Sequence, residues 1–115
     1  MKALLKSFVY AFNGLVYAFN TQLNFKIHCI ATILVVALGW YVGLSNMEWI
    51  FIAIAIAVVI VVELINTGIE LLVDFVSPER HPKAGAIKDI AAAAVLISAL
   101  MALAIALIIF VPKFV

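Results

Sequence analysis

Charged positions interrupt the chain at only a few places, and the gaps between them outline its elements. From Cys29 to Leu44 there are sixteen residues without a charge, from Trp49 to Val62 fourteen, and from Ile90 to Pro112 twenty-three. A bilayer's hydrocarbon core takes about 20 helical residues. The last run spans it alone, the first needs the flank Phe25 to His28, and the middle one continues through Glu63 and Glu70 to about Asp74. The pattern predicts membrane helices over about 26–45, 48–76 and 85–112. A short polar turn, Gly43-Leu-Ser-Asn-Met-Glu48, separates the first two. Ser77-Pro-Glu-Arg-His-Pro-Lys-Ala-Gly85, with its prolines, glycine and mixed charge, predicts an ordered loop outside the membrane. Ahead of these, over about 1–22, Phe8, Tyr10, Phe12, Leu15 and Phe19 are interleaved with Asn13, Asn20 and Thr21. That mix predicts an amphipathic helix on the membrane surface, packed on the rest of the protein, or both. Lys2 and Lys6 are not followed by a compact apolar core and a small-residue cleavage site, so no cleavable signal peptide is expected. One domain over 1–115 accounts for the whole pattern.

Composition turns these apolar runs from a core into a membrane problem. The chain is 69% hydrophobic and 11% charged, too little polar surface for a soluble domain of 115 residues. The expectation is an all-α membrane protein. A net charge of +1 says nothing about nucleic acid, but no Lys/Arg cluster suggests a phosphate-backbone footprint, so no nucleic-acid partner is expected. Cys29 is the only cysteine, so neither an intrachain disulfide nor a cysteine metal site is available, and it reads as an inert small hydrophobe. Lys2, Lys6 and Lys26 precede the first span, and Arg80, Lys83 and Lys88 lie between the second and third. The positive-inside rule puts the N-terminus and the second loop of a multi-pass membrane protein in the cytoplasm. Trp40, Tyr41 and Trp49 suit an aromatic belt on the other side.

Polar groups inside the second span carry the candidate chemistry. An ionisable residue in a span costs about 2.5–3.5 kcal/mol. At about 100° per residue, Glu63, Asn66, Glu70 and Asp74 fall within an arc of roughly 80°, with Thr67 at its margin, over a rise of about 16 Å. A carboxylate buried next to the membrane–water boundary is a candidate general base. Those nearer water can hold a divalent cation. Lys88 and Asp89 open the third span at the same level, followed by Ala91 to Ala94, which permit close helix approach. Gly68, costing about 1 kcal/mol against Ala within a helix, suggests another close contact. The bland reading is that the acids form buried ion pairs with Lys88 or a neighbouring chain. His28 reads as an interfacial residue rather than a ligand. Ser98 reads as bonded to its own helix backbone. Nucleotide and zinc signatures such as GxxxxGK[ST], GxGxxG and HExxH are absent.

The segment Glu63-Leu-Ile-Asn-Thr-Gly-Ile-Glu70, then Val73-Asp74, then Lys88-Asp-Ile-Ala-Ala-Ala-Ala-Val95 resembles the bacterial integral-membrane diacylglycerol kinase family, which includes the undecaprenol kinases. Tyr10-Ala-Phe-Asn-Gly-Leu15, Asn24-Phe-Lys-Ile-His28 and Glu48-Trp49-Ile50 resemble its undecaprenol-kinase branch. The resemblance runs in order over nearly the whole chain. It implies an ATP-dependent lipid kinase of the bacterial inner membrane with a surface helix and three membrane helices, assembled as a homotrimer with sites between chains. Glu63 then matches the general base on the lipid hydroxyl, and Glu70 a residue binding Mg²⁺ and ATP phosphates. Tyr10, Glu79, Arg80, His81, Lys88 and Asp89 match nucleotide contacts, and Asn66 and Asp74 polar supports.

One departure bears on the metal. The family usually carries a glutamate before the Asn24-to-His28 stretch, and here the position is Gln22. A neutral amide oxygen is a poorer Mg²⁺ ligand than a carboxylate. Ile87 in place of the family's alanine concerns packing only. Two other functions use the same residues. A small proton-conducting or transporting oligomer would employ Glu63 and Glu70 as relay sites, and a weakened paralogue would follow from Gln22.

Overall fold

A computed structural model describes residues 1–115 as four helices: α1 (Lys2–Thr21), α2 (Leu23–Val42), α3 (Asn46–Val76) and α4 (Pro82–Phe114). The protein is all-α, and α2, α3 and α4 are each long and apolar enough to cross a membrane.

Local chemistry sets the boundaries. A single extended residue, Gln22 (φ −112°, ψ 110°), separates α1 from α2. The predicted start of the first span at about 26 therefore moves to Leu23. Its end moves from about 45 to Val42, because Gly43 turns left-handed (φ 73°, ψ 66°) and closes the helix. Two residues later, at Ser45, a reciprocal cap opens α3. The Glu48 amide donates to the Ser45 hydroxyl (3.2 Å) and the Ser45 amide donates to the Glu48 carboxylate (2.9 Å). Ser77, followed by Pro78, ends α3. Pro82 takes the first position of α4, where its missing N–H is no loss. The His81 ring accepts from the Lys83 amide (3.1 Å) and caps this helix. Thus α4 begins three residues before the predicted 85.

α3 and α4 form a long antiparallel hairpin; α2 packs on α3, and α1 touches α2 and α3. At about 1.5 Å per residue, α2 rises about 30 Å, α3 about 46 Å and α4 about 50 Å. One hydrocarbon core is about 30 Å thick. α2 just crosses it, while α3 and α4 project roughly three turns beyond, towards their connecting loop.

The end opposite that loop is the best-packed part. Leu44, Ile52, Ile109 and Phe110 are buried together, with Trp49, Val35 and Ile105 against them. Gly39 is required here, since a Cβ would lie 2.7 Å from the Trp49 ring and 2.8 Å from Leu44. Trp49 therefore belongs partly to this core, whereas Trp40 and Tyr41 are exposed as a belt requires. The Lys113 ammonium lies 3.1 Å from the Glu48 carboxylate and ties the end of α4 to the start of α3. Only 16 of 115 residues are buried, so one chain has no self-sufficient core and lipid or further chains must cover its apolar faces.

Candidate functional site

The buried face of α3 reads Ile52, Ala55, Val59, Glu63, Asn66, Thr67 and Val73. From Ile52 to Asn66 these positions recur every three or four residues, as a single packing stripe does, and Val73 resumes it two turns on. The acidic stripe is thus the continuation of the helix-contact face, apolar at one end and polar at the other. Counted from Asn46, Glu63 stands about 25 Å along α3, Asn66 about 30 Å, Glu70 about 36 Å and Asp74 about 42 Å. A hydrocarbon slab of about 30 Å starting at the Asn46 end leaves Glu63 just inside and Glu70 and Asp74 outside.

Glu63 is 1% exposed and is the largest fully buried side chain of the protein. Its Oε1 lies 3.3 Å from Nε2 of His28 on α2. That distance is close enough for an ion pair, yet the alignment makes no hydrogen bond, and Oε1 has no hydrogen-bond partner. The neighbouring polar groups are committed elsewhere. The Thr67 hydroxyl donates to the Glu63 backbone carbonyl (3.0 Å). The Ser98 hydroxyl donates to the Val95 carbonyl (2.8 Å), as expected for a hydroxyl within a span. The Asn66 amide donates to Glu70 Oε1 (3.1 Å), which leaves buried Asn66 Oδ1 without a donor.

Above this layer, Lys88 of α4 pairs with Asp74. Lys88 does not pair with Glu63 or Glu70, and its pair with Asp74 is exposed, so within one chain no acid forms a buried ion pair with Lys88. A cleft of about 470 Å³ opens at this level. It gathers five candidate residues: Asp74 and Lys88 from the two helices, and Glu79, Arg80 and His81 from the loop. Basic and acidic groups share its wall, which suits a ligand that carries both phosphates and a cation.

Besides Glu63, Asn66 and Glu70 of the layer below, three candidates lie outside the cleft within one chain. Tyr10 is exposed eight residues before Ala18, the buried contact point of α1. Asp89 is exposed next to Lys88. Gln22 is half-buried at the start of α2, at about the height of Asn66. No three His, Cys, Asp or Glu side chains converge as a metal site in one chain. The donors near Glu70, a carboxylate and a partnerless amide oxygen, are the hard oxygen ligands that Mg²⁺ takes when one carboxylate and substrate phosphates share it.

Two readings need correction. Gly68 makes no close contact in the chain, since an added Cβ would meet nothing within 4 Å. Of the four alanines, Ala91 alone is buried, and Ala92 to Ala94 face outward. His28 was missed as a site residue. Only the pairing of α2 with α3 brings its turn level with Glu63.

The chain's matches to known proteins cover this site. A family model described as prokaryotic diacylglycerol kinase matches residues 9–110. The chain is 42% identical over 108 residues to the undecaprenol kinase of Bacillus subtilis, covering 94% of this chain and 88% of that protein. It is 39% identical to a diacylglycerol kinase of Synechocystis, over 86% of this chain and 57% of that protein. It is 30% identical to the diacylglycerol kinase of Haemophilus influenzae, over 83% and 80% respectively.

Proposed function

The chain belongs to the prokaryotic diacylglycerol kinase family, a family of lipid kinases, and on that premise we propose that it moves the γ-phosphate of ATP, with Mg²⁺, to the hydroxyl of a membrane lipid. Undecaprenol is the favoured acceptor and diacylglycerol the second. The similarity to an undecaprenol kinase over 94% of the chain supports that order.

The observation that carries the proposal is the depth profile of α3. A fully buried carboxylate lies about 10 Å below a second one, and above both is a cleft with basic and acidic walls. A lipid hydroxyl sits at that depth while its tail stays in the bilayer. Glu63 accepts the hydroxyl proton as the lipid oxygen bonds to the γ-phosphorus, the bond to the β-phosphate oxygen breaks, and ADP leaves. Glu70, with one oxygen fixed by Asn66, would hold Mg²⁺, which supplies charge neutralisation at the phosphates when bound. Lys88 and Arg80 face the phosphate charge, Asp74 holds Lys88, and Glu79 and His81 border the nucleotide. Tyr10 and Asp89 contact ATP from outside the cleft wall.

The whole chain acts as one integral-membrane domain in the inner membrane, with the Ser77-to-His81 loop cytoplasmic. α1 lies on the membrane surface. Its groove against Leu64, Thr67, Gly68 and Leu71 of α3, at the height of the boundary, supports this placement. Three chains assemble, and their sites form between neighbours. A proton-relay function draws no support from a cleft built of loop cations and acids. Purified protein incubated with Mg-ATP and either lipid should yield lipid phosphate and ADP in equal amounts. ADP without lipid phosphate, or no turnover, would refute the assignment.

A further inference from the structure

We propose that His28 is the positioning residue of Glu63, its Nε2–H aimed at Oε1 so that the other carboxylate oxygen faces the lipid hydroxyl. This rests on the reading of Glu63 as the general base. Geometry and elimination carry it. His28 Nε2 is 3.3 Å from Glu63 Oε1, across the α2–α3 contact. No other side chain serves that oxygen: Thr67 and Ser98 donate to backbone carbonyls, Asn66 donates to Glu70, and Lys88 pairs with Asp74.

The ring's backbone is also held. The Thr32 hydroxyl, one turn on, donates to the His28 carbonyl (2.8 Å). Along α2 the ring borders a narrow apolar slot of about 90 Å³ with Thr32, Ile52 and Val59. The imidazole therefore stands between this slot and the carboxylate, with a side chain 24% exposed against 2% for Glu63. A carboxylate in a dry site is free to rotate unless something fixes one oxygen. The near-miss alignment fits a bond that tightens once substrate binds, as catalytic hydrogen bonds commonly do.

The test compares turnover of His28→Gln, which keeps an amide N–H donor, with His28→Phe, which fills the space without one. A hydrogen bond to a charged group is worth about 10- to 100-fold in rate. The expected result is a kcat loss of that size for His28→Phe, an unchanged KM for ATP, and recovery of most turnover in His28→Gln. The combined His28→Phe, Glu63→Gln protein should be no slower than Glu63→Gln alone, because one residue acts through the other. Equal kcat in His28→Phe and wild type would overturn the inference, as would a His28→Gln no better than His28→Phe, or losses that add in the combined protein. Wild type inactive on both lipids would instead sink the kinase assignment itself.

Discussion

At Asn66 one side chain holds a neighbour with one end and leaves the other end unused. Its amide fixes Glu70 Oε1 while its own oxygen stays without a partner in a buried place. Asn66→Ala frees the Glu70 carboxylate, so the KM for Mg-ATP should rise by about tenfold, the weight of a hydrogen bond to a charged group. Steady-state kinetics at varied Mg-ATP would show it, and an unchanged KM would detach Asn66 from the nucleotide. Gln22 gives a second prediction. It stands at about the height of Asn66, so Gln22→Glu should lower the Mg²⁺ concentration needed for half-maximal activity. A Mg²⁺ titration identical to wild type would remove position 22 from the metal. The acidic stripe was legible in the sequence because a carboxylate within an apolar helix is conspicuous. His28 was not, since a histidine at a helix entrance looks interfacial until a second helix places an acid against it.

Among the helices, the turn between α2 and α3 is the most tightly specified. Gly39→Ala drives a methyl into Trp49 and Leu44 and should cost about 1–3 kcal/mol. Ser45→Ala removes the cap and should cost about 1 kcal/mol. Gly68→Ala meets open space and should not destabilise a single chain. Thermal melts in detergent rank the three, and a Gly39→Ala melt equal to wild type would contradict the packing described. Helix identity was readable from charge-free runs, but boundaries were not. They depend on single residues: Gln22 turning extended, Gly43 turning left-handed, and Pro82 with His81 starting α4 early. Periodicity carries none of that. The Glu48–Lys113 link joins residues distant in sequence, and a charge pattern alone cannot pair them.

The molecule as a whole lacks cover for most of its apolar surface, and part of its chemistry lies outside the cleft. Tyr10 and Asp89 are exposed and do not line it, and no acid cluster forms a metal site within one chain. On the proposed three-chain assembly, light scattering of the purified protein should give the mass of three chains, and a monomer mass would contradict the shared-site arrangement. The central claim is narrower than assembly: Glu63 takes the proton from a lipid hydroxyl while ATP waits in the cleft above it. General-base catalysis is worth about 10²- to 10⁴-fold. The most direct test measures transfer of the ATP γ-phosphate to undecaprenol, and in parallel to diacylglycerol, by wild type and Glu63→Gln. The account predicts lipid phosphate from wild type and a loss of at least about 100-fold in kcat for Glu63→Gln. Wild-type turnover retained in full by Glu63→Gln would contradict it.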